Sequence, residues 1–199
     1  FFYHAGHGYY AIPFMQDSVE SYFDQEGNSL RRAFLKSPLR FSRVSSRYSY
    51  NRMHPILKIR RPHLGVDYVA AIGTPVYTIG DGEIIEASYH NNSGNMLKIR
   101  HNSVYTTAYL HLSYFAKSIK KGGKVMQGDL IGYVGSSGLS TGPHLDFRFY
   151  KNGYPVDPLK VDAPPVEPVK DANRTPFDSV CAGVISMLEK IHPVCQPAE

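Results

Sequence analysis

Between about residue 39 and residue 162 the chain alternates apolar and polar side chains in short runs broken by Gly-rich turns, and this period of two constrains the fold more than any other feature. The turns fall at Gly80-Asp81-Gly82, Asn91 to Asn95, Gly122-Gly123 and Gly135 to Gly142. Successive side chains of a strand point to opposite faces. In the run from His144 to Tyr150, Leu145, Phe147 and Phe149 therefore form one apolar face, while His144, Asp146 and Arg148 share the other. In Thr106 to Leu112 the same argument buries Ala108, Leu110 and Leu112 and presents Thr107, Tyr109 and His111 on the polar face. It also puts Asp67 beside Val69 within Val66 to Ala71.

Composition divides the chain into three. Residues 1–40 read as the end of an upstream domain or a connector, with a helix expected over LRRAFLK behind a cap at Asn28 or Ser29. Residues 41–162 form the principal domain. Residues 163–199 open within the Pro-rich, polar DAPPVEPVKDANRTP, which starts at Asp162 and reads as an extended linker, and continue into a helix. Thr175, Pro176 and Asp178 mark that helix's start, and Val180, Val184, Leu188 and Ile191 make a stripe expected to pack back on the domain before Pro193. At 199 residues and 42% hydrophobic, with no run of eighteen apolar residues, the chain has material for one good core and none for a membrane-spanning helix. It starts with Phe1 rather than Met, as expected of a fragment or processed product. Cys181 and Cys195 lie in the tail and match no zinc pattern; a disulfide and two free thiols are both compatible with their spacing.

Charge is uneven. From Leu30 to Arg61 there are ten Lys or Arg and no Asp or Glu, against a net charge of +5 for the whole chain. Such a run is either a basic surface for an anionic polymer or a solvated connector. RVSSRYSYNR has the pattern of an ordinary edge strand, and no nucleic-acid module is present, so no nucleic acid is expected as a partner.

The chemistry concentrates in His63, Asp67, His111, His144 and Asp146. Imidazoles and carboxylates are the usual nitrogen and oxygen ligands of Zn²⁺, and a catalytic site needs three of them plus an open position. Asp146 has a simpler alternative, an ion pair with Arg148 on its own strand face. His54, His90 and His101 lack ligand companions and read as surface or hydrogen-bonded residues, and His4 and His7 lie among glycines. Most of Tyr68, Tyr77, Tyr105 and Tyr133 are expected in the core or a groove wall. Tyr109, placed with His111 by the alternation, is expected in the substrate groove.

HLGVD, GTPVYTIGDGEI, SGNMLKIRH, YTTAYLHLS and GGKVMQGDLIGYVGSSGLSTGPHLDFRF, in that order from about His54 to Leu159, resemble the lysostaphin-type, LytM-like zinc peptidases that cleave peptide cross-links of bacterial cell walls. The resemblance implies an all-β fold of antiparallel sheets with a metal-containing groove, here followed by a short C-terminal helix. It implies one Zn²⁺ per chain, or another divalent ion, on His63, Asp67 and the last position of the HxH triplet, with His111 and His144 as the non-ligand catalytic histidines. It implies peptidoglycan peptide as substrate and the cell envelope, periplasmic or extracellular, as location. Asp146 stands where the family usually has the third histidine. A carboxylate binds zinc at about the same distance as an imidazole, but two carboxylates neutralise the ion, so its water is expected to be less acidic and harder ions more competitive. Two functions follow: a metal-dependent endopeptidase, or a catalytically silent domain of the same fold that binds cell-wall peptide or a partner hydrolase.

Overall fold

The computed structural model describes residues 1–4, 7–41, 43–53, 58–164 and 166–191. His54, Pro193 and Cys195 lie outside them. The chain divides into two compact units, residues 34–162 and residues 1–33 with 163–199.

Among the described residues there are sixteen strands: β1 (Phe2–His4), β2 (His7–Tyr9), β3 (Ile12–Gln16), β4 (Val19–Phe23), β5 (Arg43–Ser46), β6 (Ser49–Met53), β7 (Arg60–His63), β8 (Val66–Val69), β9 (Pro75–Tyr77), β10 (Gly82–His90), β11 (Gly94–Arg100), β12 (Tyr105–Phe115), β13 (Lys124–Val125), β14 (Leu130–Val134), β15 (His144–Lys151) and β16 (Tyr154–Val156). Their described pairings are all antiparallel. Helix α1 (Arg174–Ile191) follows.

The larger unit is built on a ten-stranded sheet with the central order β13-β10-β11-β12-β15-β8-β5; β14 pairs with β12 and β9, and β16 with β15. β6 and β7 form a separate pair. The alternation read in β15 holds: Leu145, Phe147 and Phe149 are buried in the core, where Val66, Tyr68 and Tyr109 join them, and Asp146 and Arg148 turn to the other face. The edge-strand reading of RVSSRYSYNR holds too, since β5 closes one end of the sheet and β6 lies off it.

Residues 30–36 form no helix. Within the larger unit Leu35 N donates to Ile79 O, and Phe34 sinks into the core edge-on to His101, Tyr105 and Phe149. Burying a Phe contributes roughly 1.5–3 kcal/mol, which outweighs the few tenths per residue that helix propensity offers over so short a segment.

In the smaller unit β1 pairs with β2 and β3 with β4, and α1 sets Phe177 against Phe14 and Phe23 at ring distances of 5.4 and 5.8 Å. Ile12, Val169 and Cys181 complete that core. The helix starts at Arg174, after a 3₁₀ turn at Asp171–Asn173, and its buried stripe is Phe177 and Cys181 with Val184 and Ile185 partly covered. The expected stripe is displaced by one position because Val180 faces outward and the large Phe177 sets the rotation. The expected linker is pinned: Val166 N donates to Arg31 O, Val169 N to Gly27 O, and Val169 is buried. The flanking segments expected as separate regions thus share one unit. Cys181 is buried and, among the described residues, forms no disulfide.

Candidate metal centre

On the outer face of the larger sheet, Asp67 of β8 stands directly opposite Asp146 of β15, and Asp146 opposite Leu110 of β12. Two like charges in direct cross-strand register repel. Here both are nearly inaccessible, Asp67 at 6% and Asp146 at 3% exposure, so positive charge must compensate them. Two arginines supply part of it: Arg52 Nη1 lies 3.1 Å from Asp67 Oδ2, and Arg148 holds Asp146 with Nη2 at 2.7 Å from Oδ2 and Nε at 3.2 Å from both oxygens. The ion pair with Arg148 anticipated from sequence is therefore present. It does not remove Asp146 from the cluster, since His63, Asp67 and Asp146 each offer a ligand atom within 4.8 Å of the others.

His63 ends β7, and two residues later Gly65 carries the chain across β15. A Cβ there would lie 2.3 Å from Asp146 Oδ1 and 2.7 Å from the Phe147 carbonyl oxygen. Only a glycine fits, and it brings His63 Nε2 to 3.2 Å from Asp67 Oδ1. Among the described residues these two buried atoms form an ion pair with each other, but neither has a hydrogen bond of good geometry. Orphaned buried donors and acceptors cost about 1–3 kcal/mol each, and a divalent ion between them removes that cost. The donor set, one imidazole nitrogen and two carboxylates, suits zinc. Burial pushes the Asp67 carboxyl upward, but attraction to His63, His144 and Arg52 overrides it, leaving Asp67 below its ordinary range and ionised.

His111 reaches the same face through a bulge. From Tyr109 to Leu112 β12 spends three steps where β11, from Leu97 to Asn95, spends two. His111 has φ of 62°, in the left-handed region that non-glycine residues rarely adopt, and its N donates to Ser93 O. Asn95 Nδ2 and Ser137 Oγ both donate to Leu112 O, at 3.0 and 2.7 Å, and pin the distortion. The bulge overturns the expectation for Tyr109. Because the extra residue breaks the alternation, Leu110 and His111 both face the groove, and Tyr109 is 0% exposed in the core, 5.3 Å from the Phe147 ring with its hydroxyl accepting from Ile79 N. Tyr109 is not a groove residue.

His111 Nδ1 lies 2.8 Å from Ser137 O, and His144 Nδ1 2.8 Å from Gly142 O. A carbonyl only accepts, so both imidazoles carry their proton on Nδ1 and keep Nε2 free. The two rings are 4.8 Å apart, and His144 Nε2 lies 3.9 Å from Asp67 Oδ1. Burial, with the neighbouring His144, holds His111 below the ordinary histidine value, so it is neutral at pH 7. Gly94 (φ 62°) and Gly138 (φ 71°) bring the two turns into backbone contact, a Cβ on Gly138 meeting Gly94 N at 2.3 Å.

The structure thus assembles all five residues singled out in the sequence, His63, Asp67, His111, His144 and Asp146, around one groove of about 580 Å³. Sequence reading counted Arg52 and Arg61 only within a basic run, yet both line this groove. Asn95 and Ser137, which hold the bulge, gave no signal beyond lying in turn-rich segments. His90 is an exposed partner of Glu86 at 2.7 Å, and His101 is hydrogen-bonded to Asp81 O and Thr107, the ordinary roles expected of them.

Known proteins resemble this chain in sequence and fold. The profile of peptidase family M23 matches residues 61–158. A crystal structure of a zinc containing peptidase from Vibrio cholerae is 40% identical and superposes with a TM-score of 0.63, covering 76% of this chain and 47% of that one. The catalytic domain of the antimicrobial peptidase lysostaphin from Staphylococcus simulans is 34% identical with a TM-score of 0.53, over 59% of this chain and 90% of that one. The peptidoglycan DD-endopeptidase ShyC of Vibrio cholerae is 40% identical over 163 residues, 82% of this chain and 37% of the relative. The chain belongs to peptidase family M23. It spans well under half the length of that curated relative.

Proposed function

We propose that this chain is the metal-dependent endopeptidase domain of a cell-envelope protein and hydrolyses peptide bonds in the stem peptides or cross-links of bacterial peptidoglycan. The observation that carries the reading is the pair of orphaned atoms, His63 Nε2 and Asp67 Oδ1, facing the buried Asp146 carboxylate beside two histidines with free Nε2 atoms.

His63, Asp67 and Asp146 would hold one zinc ion. Zinc supplies Lewis-acid polarisation of a scissile carbonyl and acidification of water. His111, neutral and fixed by Ser137, takes a proton from the attacking water at Nε2. His144, fixed by Gly142 with its ring 4.8 Å from that of His111, accepts that proton at its own Nε2, donates to the developing oxyanion while charged, and gives the proton up to the departing amine. Both act from pre-set ring orientations. ShyC's name supports peptidoglycan as substrate, and with it an envelope location.

A second reading draws on the hold of Arg148 on Asp146: a silent domain whose groove binds cell-wall peptide, or a partner hydrolase, without cutting. Purified cross-linked muropeptides incubated with the zinc-loaded chain, with and without chelator, separate the two. The peptidase gives new amine and carboxyl ends by mass spectrometry, and chelator suppresses them. Unchanged muropeptides that co-elute with the protein mean the silent domain.

A further inference from the structure

Arg52 of β6 pairs directly with Arg61 of β7, so the two guanidinium groups leave the same face of the hairpin, and that face is a wall of the groove. Two cations in register repel. Arg52 is compensated by Asp67 at 3.1 Å, and the third groove arginine, Arg148, by Asp146 at 2.7 Å. Arg61 is exposed and, among the described residues, has no ion pair or hydrogen bond, although it lies two residues from His63 on the same strand. The loop segments that also line the groove, Asn92 and Ser93 and Leu139 to Pro143, carry no charged side chain. Among the groove's described lining residues, Arg61 is therefore the cation left without an anionic partner. A resident divalent ion makes the excess of positive charge larger.

We infer that Arg61 is a subsite for a carboxylate of the peptide substrate, on the β6–β7 side of the scissile bond. The inference rests on the peptidase reading and adds which peptides the groove prefers. A guanidinium presents two parallel N–H donors that match a carboxylate, and such charge-assisted pairs are roughly twice as strong as neutral ones. The carboxylate has two sources with the same chemistry: the free C-terminus of a peptide cut near its end, or a carboxylate on a residue within a longer peptide.

The test uses zinc-loaded full chain and three peptides that differ only in this group: one with its sole carboxylate at the C-terminus, one with it on an internal residue, and one with both positions amidated. The wild type should cleave one carboxylate peptide with kcat/KM roughly tenfold to a hundredfold above the amide. The preferred peptide identifies the source. In Arg61→Gln the carboxylate-to-amide ratio should fall toward one, chiefly through KM, and Arg61→Lys should restore part of it. Equal cleavage of all three by wild type, or a ratio unchanged in Arg61→Gln, overturns the subsite while leaving the peptidase intact. If no peptide is cleaved, the peptidase reading fails and calorimetric binding decides the subsite by itself. Wild type binding a carboxylate peptide more tightly than the amide, with the difference lost in Arg61→Gln, supports it; equal binding overturns it.

Discussion

Asp146 and Arg148 are best understood as one unit. They sit two apart on β15, and the guanidinium contacts both carboxylate oxygens, so the pair brings a nearly neutral polar group to the position where two bare aspartates would face each other. Arg148 is itself held above its ordinary value by Asp146 in spite of burial. Asp146→Asn should then weaken zinc binding at least tenfold by calorimetry, since it removes an anionic donor; unchanged affinity would place Asp146 outside the donor set. Asp146→His alone strands Arg148 beside a divalent ion. The double variant Asp146→His/Arg148→Gln should therefore bind zinc more tightly than Asp146→His, and the reverse order would show that Arg148 does not face the centre. Replacing His111 or His144 by Ala should keep zinc, measured by elemental analysis, and lower turnover by roughly two to four orders of magnitude.

At the scale of elements, the site depends on irregularities more than on strands. The β period was legible because the large apolar residues of β15 leave no other face to bury, and it placed Asp67, His144 and Asp146 correctly. It misplaced Tyr109 because a bulge is invisible to a period of two: nothing local in TTAYLHLS marks the extra residue, which Asn95 and Ser137 impose from other strands and turns. The helix expected at LRRAFLK failed for a related reason, its propensity being overridden by the burial of Phe34. The contact of Gly138 with Gly94 is the element that holds Ser137, and through it His111, in place. Gly138→Ala should cost about 1–3 kcal/mol in chemical denaturation, because a side chain at φ 71° is strained and meets backbone. Wild-type stability in this variant would mean that the two turns separate freely. In the smaller unit, Phe177→Ala should cost about 3–5 kcal/mol of that unit's stability, read by hydrogen exchange of β3 and β4, because Phe14 and Phe23 lose the ring that fills their core.

For the molecule as a whole, the basic run resolves into residues with different work: Arg52 compensates Asp67, Arg61 faces the groove, Arg60 donates to Asn51 and Arg40 stacks over Tyr77. Stability should respond to pH through a partly buried histidine. Burial holds His101 below the ordinary histidine value of about 6.5, only partly opposed by its hydrogen bond to Asp81 O. A depressed folded value means that the unfolded chain takes up the proton first, so this contribution is full above pH 6.5 and is lost as pH falls through the folded value. The calorimetric unfolding temperature should fall between pH 7 and 5, and His101→Gln should flatten that slope; equal slopes would contradict the assignment. The central claim, that a carboxylate completes the donor set, has a direct measurement in a zinc-anomalous crystal structure. The account predicts one full-occupancy peak about 2.0–2.2 Å from His63 Nε2, Asp67 Oδ1 and an Asp146 oxygen. A groove without a peak, with Asp146 held by Arg148 and turned from His63 and Asp67, would contradict it.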